Sequence, residues 1–186
     1  MKTLFSNKKN FDKYLNVFLE NRKKKLQSNT VSVSKIIKDV KKKGDFALLK
    51  YEKRYNKNQT IIPSKKQIFN SISRLDTKVK NAIDVAYKRI FKFHSLQKFK
   101  DISYVDKFKN KIDYKYLPIQ SVAIYVPGSR VSYPSSLLMN AIPALVAGVQ
   151  RIVLINPAYR GIQDPAVLYA ARKCKINEIY SIGGPS

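Results

Sequence analysis

The stretch Val122-Ala123-Ile124-Tyr125-Val126-Pro127-Gly128, continued by SRVSYPSSLLMNAIPALVAGVQRIVLINP as far as Pro157, decides the fold of this chain. Residues 121–126 form an apolar run that ends on Pro-Gly, the pattern of a buried strand entering a tight loop. Pro134 suits the first turn of a helix, where a missing N–H costs nothing, and the spacing predicts that helix over about 135–148. Pro143 lies inside it and is expected to kink it. A second apolar strand, 151–155, stops at Asn156-Pro157. Strand, loop, helix and strand make one β/α unit of an open parallel sheet, and such sheets bind ligands at their strand ends. A helix near 164–174 and a strand at 178–182 extend the same pattern.

Upstream of Pro118 the pattern is different. Residues 9–26 carry Phe11, Tyr14, Leu15, Phe18 and Leu19 at helical spacing. Asn29-Thr30 or Ser32 would start a second helix bearing Ile36, Ile37 and Val40, which Gly44 would end. Asp45 would cap the next helix, with Phe46, Leu48, Leu49, Tyr51 and Tyr55. Gln59 to Ile62 could be extended. Pro63-Ser64 opens a helix with Ile68, Phe69 and Ile72, and Asp76 caps a longer one to about Gln97. Alternation over Asp101–Lys115 predicts strands or a hairpin, with KNKID (109–113) as the turn. The expected organisation is therefore a helical segment over 1–100, a strand or hairpin connection over 101–117, and the β/α part over 118–186.

Composition narrows the function classes. With 44% hydrophobic residues the 186-residue chain can bury a core, and it has no long uncharged apolar run of membrane-spanning type. The N-terminus lacks the apolar region of a secretory signal. A single cysteine, Cys174, fits a reducing compartment, so the expected location is cytoplasmic. One His and one Cys do not make a zinc site of the usual kind. The net charge is +25, of which residues 118–186 carry only +4, leaving +21 for the first 117 residues. Such asymmetry suits nucleic-acid binding, and Tyr104, Tyr114 and Tyr116 between lysines could stack on bases. The basic residues are nevertheless spread along several helices, so solvated helix faces are the better reading.

For chemistry, the loop after 121–126 stands out. A strand's carboxyl end facing a helix N-terminus offers N–H groups to an anion such as a pyrophosphate. Gly128 would allow close approach of a ligand, and Tyr125 could stack or hydrogen-bond there. The alternative is a turn whose Tyr merely packs, and the Gly-x-Gly-x-x-Gly fingerprint is lacking. His94 is read as a helix-face residue near the core and Cys174 as a half-buried helix-end residue. Asp39, Asp45, Asp101 and Asp106 are read as caps and surface charges.

Four ordered segments carry a resemblance. YVPG (125–128) with YPSS, LMNAIPA and VAGV resembles the signature of histidinol dehydrogenases. VKKKGDFALLKYEKRYNK (40–57), AYKRIFKFHSLQ (86–97) and DPAVLYAARKCKINEIYSIGG (164–184) resemble three further segments of that family. The resemblance implies a Rossmann-like domain, incomplete here, behind the N-terminal helical segment. It also implies NAD-dependent oxidation of L-histidinol to L-histidine through histidinaldehyde, the last step of histidine biosynthesis. In the family the Tyr of YVPG contacts NAD, which carries over to Tyr125.

Two positions depart from the pattern. Ser129 stands where a second Gly is usual, and Pro185-Ser186 follows Gly183-Gly184 where Ala-Gln is usual, so Ser186 takes the place of a Gln that contacts NAD. Leu145 replaces a common basic residue and is read as a surface change. The family's Glu-His acid/base pair and its Gln, His, Asp and His zinc ligands have no counterpart in this chain. The expectation is thus an N-terminal portion with no catalytic or metal-ligating residue of its own and no activity alone. It further implies a small-molecule substrate (histidinol), NAD and zinc as cofactors, and a homodimer as the assembly. A basic nucleic-acid-binding module or a non-functional truncated gene copy is the alternative.

Overall fold

The computed structural model describes residues 10–128, 133–158 and 161–183, with side chains described throughout except over 22–32. The chain divides into two compact units, one up to Leu48 and one from Leu49 onward.

The first unit contains a single helix, α1 (Phe11–Lys43), of 33 residues. The break expected near Asn29-Thr30 does not occur. No Gly or Pro lies between Phe11 and Lys43. Ser, Thr and Asn in a helix interior cost only tenths of a kcal/mol each, roughly, which their neighbours outweigh. Gly44 ends α1 as expected: its φ of 56° suits glycine, and its N–H donates to the Val40 carbonyl at 2.7 Å. Asp39 pairs with Lys43 at 2.8 Å one turn before the end. Helix α2 (Asp45–Tyr55) starts on Asp45 itself.

In the second unit, α3 (Lys65–Ser73) opens with a capping box. Ser64 Oγ accepts from Gln67 N, and Gln67 Oε1 accepts from Ser64 N. Helix α4 (Thr77–Ser95) is capped by Asp76, which accepts from Lys78 N at 2.6 Å. Strands β1 (Ile102–Val105) and β2 (Lys111–Tyr114) form an antiparallel hairpin. Its turn lies at 106–110 rather than at KNKID. Asp106 Oδ1 accepts from the amides of Phe108 and Asn110, both at 2.8 Å, so an Asx-type turn forms over 106–110 and frees 111–113 for β2.

Strands β3 (Ser121–Tyr125), β4 (Arg151–Ile155) and β5 (Glu178–Tyr180) form a parallel sheet in the order β3-β4-β5. Helix α5 (Pro134–Ala147) joins the first pair and α6 (Pro165–Lys173) the second. Two crossovers of the usual right-handed sense, made in the same direction across a sheet, lie on one face. In agreement, α5 packs on α6, α4 on both, and α3 on α6. Ile124, Leu154 and Ile179 point into this layer against Leu137, Leu138 and Ile142. Ala166–Ala171 are all buried, so α6 is enclosed on every side rather than amphipathic. The result is an incomplete α/β domain. Strand β3 departs from the expected fully buried strand: Val122 and Ile124 turn inward, whereas Ser121, Ala123 and Tyr125 are exposed.

Helices α4 and α6 are also joined by a polar contact. Asp84 accepts from the Tyr169 hydroxyl at 3.0 Å and pairs with Lys173 at 3.1 Å. Desolvation raises the Asp84 carboxyl, but the Lys173 and Tyr169 hydrogen bonds and the Lys173 charge outweigh it and leave its pKa below the ordinary 3.8. A depressed folded-state pKa stabilises above the unfolded value and loses that contribution as pH falls through the folded value. Asp84→Asn should lower stability by about 1 kcal/mol at neutral pH. In urea unfolding at stepped pH, the gap between wild type and variant should hold down to the ordinary carboxylate range and close below it.

Candidate functional site

The carboxyl ends of β3, β4 and β5 are held together by Asn156, the residue after β4. Its amide donates to the Tyr180 carbonyl at 2.9 Å and its Nδ2 to the Val126 carbonyl at 3.0 Å. Val126 N donates in turn to the Ile155 carbonyl at 2.9 Å, and the Asn156 carbonyl accepts from Gln163 Nε2 at 3.2 Å. One buried residue thus fixes where the chain leaves both outer strands, by its side chain at β3 and by its backbone amide at β5. Its Oδ1 is buried without a hydrogen-bond partner, a cost that asks for a compensating role.

Tyr125 is the last residue of β3, in register with Ile155, and is 54% exposed. This places its ring, more than half open, at the sheet's carboxyl edge. A Cβ on Gly128 would lie 2.0 Å from the Pro157 carbonyl oxygen, so the missing side chain lets the segments after β3 and β4 touch. Ser129 and Ser186 lie outside the described residues. Tyr133 precedes α5 without capping it by a side-chain hydrogen bond, which leaves the helix's first-turn amides unserved by that residue.

A second support comes from the N-terminal side of the unit. Glu52, only 2% exposed, accepts from Asn56 Nδ2 at 3.1 and 3.0 Å, from Asn58 Nδ2 at 2.8 Å and from Gly183 N at 2.7 Å. Ser181 N donates to the Ile61 carbonyl at 2.7 Å, so the 59–62 segment is bonded at one point to the chain beyond β5 without becoming a strand. A Cβ on Gly183 would meet Asn56 Nδ2 at 2.6 Å. Sequence reasoning missed this network, because Glu52 sits among lysines and tyrosines and looks like a surface charge. The two Asn that follow α2 were the available signal: Lys57 adopts a left-handed conformation and turns the chain back over the helix end.

The other candidates fall elsewhere. His94 is half-buried on α4, with Nδ1 2.6 Å from Gln97 Oε1. Cys174 is buried rather than half-buried, because α6 is enclosed, and burial pushes its thiol up to about 11, the opposite of an activated nucleophile. Leu145 packs against the core, so it is not a surface change. Asp101 accepts from Tyr116 N at 3.0 Å and ties the base of the hairpin. Among the described residues, no three His, Cys, Asp or Glu side chains come together as metal ligands, so these residues do not fit a zinc site. No helix among them is long and apolar enough to cross a membrane.

Glu52→Gln replaces an acceptor oxygen by an amide that faces other donors. It should cost about 2 kcal/mol in urea unfolding. Hydrogen exchange at the Gly183 amide should accelerate, while the Asn156 amide stays protected.

The comparisons with known proteins follow the same lines. The sequence profile of histidinol dehydrogenase matches residues 19–186. The chain is 69% identical over 186 residues to the histidinol dehydrogenase of Pelagibacter ubique (strain HTCC1062), covering all of this chain and 44% of that protein. It is 37% identical to that of Mesorhizobium japonicum, over 98% of this chain and 43% of the relative. The crystal structure of histidinol dehydrogenase from Elizabethkingia anophelis superposes with a TM-score of 0.79 at 32% identity, over 83% of this chain and 36% of that one. The chain therefore spans less than half the length of these relatives, and it belongs to the histidinol dehydrogenase family.

Proposed function

We propose that this chain supplies the NAD-binding side of a histidinol dehydrogenase, an enzyme that oxidises L-histidinol to L-histidine. Residues 118–183 act as the first part of a Rossmann-like cofactor domain, and residues before Pro118 serve as its helical support and hairpin connection. The observation that carries this reading is the exposed Tyr125 ring at the carboxyl edge of a parallel sheet, where ligands of such sheets bind. The Asn156 and Glu52 hydrogen bonds fix the backbone beyond the carboxyl ends of β3 and β5.

When bound, NAD accepts hydride. What this chain contributes is positioning: Tyr125 offers a ring face and a hydroxyl to the cofactor. The close approach of Gly128 to Pro157 ties the end of β3 to the segment after β4. The acid/base and zinc-ligand groups that the family uses require several histidines, and the chain has one, His94, placed on α4. These groups would come from further polypeptide, in a homodimer acting on a small-molecule substrate in the cytoplasm. A basic nucleic-acid module is not favoured by the family assignment.

The 186-residue chain should bind NAD without turning over histidinol. Tyr125→Ala should weaken NAD binding about tenfold in calorimetric titration, and Tyr125→Phe about threefold, with no loss of thermal stability. NADH formation from histidinol by the purified chain would overturn the division of labour. Unchanged NAD affinity in Tyr125→Ala would remove the site.

A further inference from the structure

A cleft of about 430 Å³ opens beside the β5 end of the sheet, separate from Tyr125. Its walls come from the segment after α2, from α3, from the loop before α6, and from Ser181. Among the described residues, two cationic side chains line it, Lys57 and Arg74, and no Asp or Glu does. Neither cation has an ion-pair partner among the described residues. The rest of the lining is rich in amides and hydroxyls, including Gln59, Asn70, Ser71 and Gln163.

The wall is rigidly built. Asn58 Nδ2 reaches Glu52 Oε2 at 2.8 Å and Ser181 Oγ at 3.5 Å, which fixes the amide's orientation. Its Oδ1 is left buried without a partner. The amides and hydroxyls that line the cleft, Gln59, Asn70 and Ser71 among them, favour a ligand that brings hydroxyl groups. Two cations without a competing carboxylate favour a compact anion of high charge, and the volume exceeds that of a phosphate alone.

We propose that this cleft binds a small phosphorylated polyol, with Lys57 and Arg74 on the phosphate and the amides on the hydroxyls. The site is independent of the NAD reading, since neither Tyr125 nor Gly128 lines it.

The test is calorimetric titration of the whole chain with ribose 5-phosphate and with ribose at physiological salt. Saturable one-to-one binding of ribose 5-phosphate is expected, with ribose at least about tenfold weaker. The double variant Lys57→Gln, Arg74→Gln should lose about tenfold or more in affinity, with its circular dichroism and unfolding midpoint unchanged. Tyr125→Ala should bind ribose 5-phosphate as the wild type does. Three results would each overturn the proposal: no saturable binding, equal binding by the double variant, or loss of binding in Tyr125→Ala, which would move the anion to the β3 loop. Failure of NAD binding alone leaves this result untouched, so the two readings fall separately.

Discussion

A buried carboxylate holds the second unit together at its functional end. Removing Glu52 from water is costly, and the cost is offset because three donors meet its oxygens. Two of these donors are asparagine side chains just past α2, and the third is the Gly183 amide, 131 residues away in sequence. The pairing fixes three things at once: how α2 ends, where the 56–61 segment runs, and where the chain goes after β5. The wall of the cleft that contains Asn58 and Ser181 follows from the same contacts. An amide or alkyl group at position 52 would leave buried N–H groups without acceptors, so this carboxylate is a constraint on the carboxyl edge of the sheet as a whole.

Much of the fold could be read from residues whose preferences are local. Ser64 and Asp76 cap where their side chains can reach the next turn, Pro134 begins α5, Gly44 ends α1, and Asn156-Pro157 ends β4. The failures share a cause: each depended on what lies across space. Asn29-Thr30 looks like a helix start, but in a stretch without Gly or Pro the helix continues at small cost. Leu145 looks like a surface substitution until the α5 face it occupies is seen against the core. Of the candidate site, Tyr125 was legible because a strand end is a local feature. Glu52 and Asn156 were not, since their partners lie far along the chain.

The two sheets of the second unit differ in how they are supported. Parallel sheets are ordinarily covered on both faces. Here the helices cover one, and the outward row of β3, Ser121, Ala123 and Tyr125, is exposed. In the hairpin, Ile102, Tyr104, Ile112 and Tyr114 share a face, because Ile102 pairs with Tyr114 and Tyr104 with Ile112, and all four are exposed. A two-stranded ribbon is marginal by itself. This one is held at its base by the Phe99–Tyr116 stack at 4.7 Å and by Asp101 accepting from the Tyr116 amide, and at its tip by the Asp106 turn. Its order thus comes from its two ends rather than from its face.

Charge separates encounter from recognition in this molecule. A chain with a net +25 attracts any anion, a dinucleotide or a sugar phosphate included, and this attraction acts over roughly a Debye length, about 8 Å at physiological salt. Such a field raises association rates without choosing among ligands. Residues 118–186, which provide the sheet, carry only +4 of that charge. Under the two proposed readings, selectivity at the sheet's edge comes from short-range groups: the Tyr125 ring at one position and the amides and hydroxyls of the cleft at another. Where binding is due to the field alone, it fades uniformly as salt rises and is indifferent to which single side chain is altered. Where it is due to the site, a charge-conserving substitution such as Tyr125→Phe leaves a mark that persists at high salt.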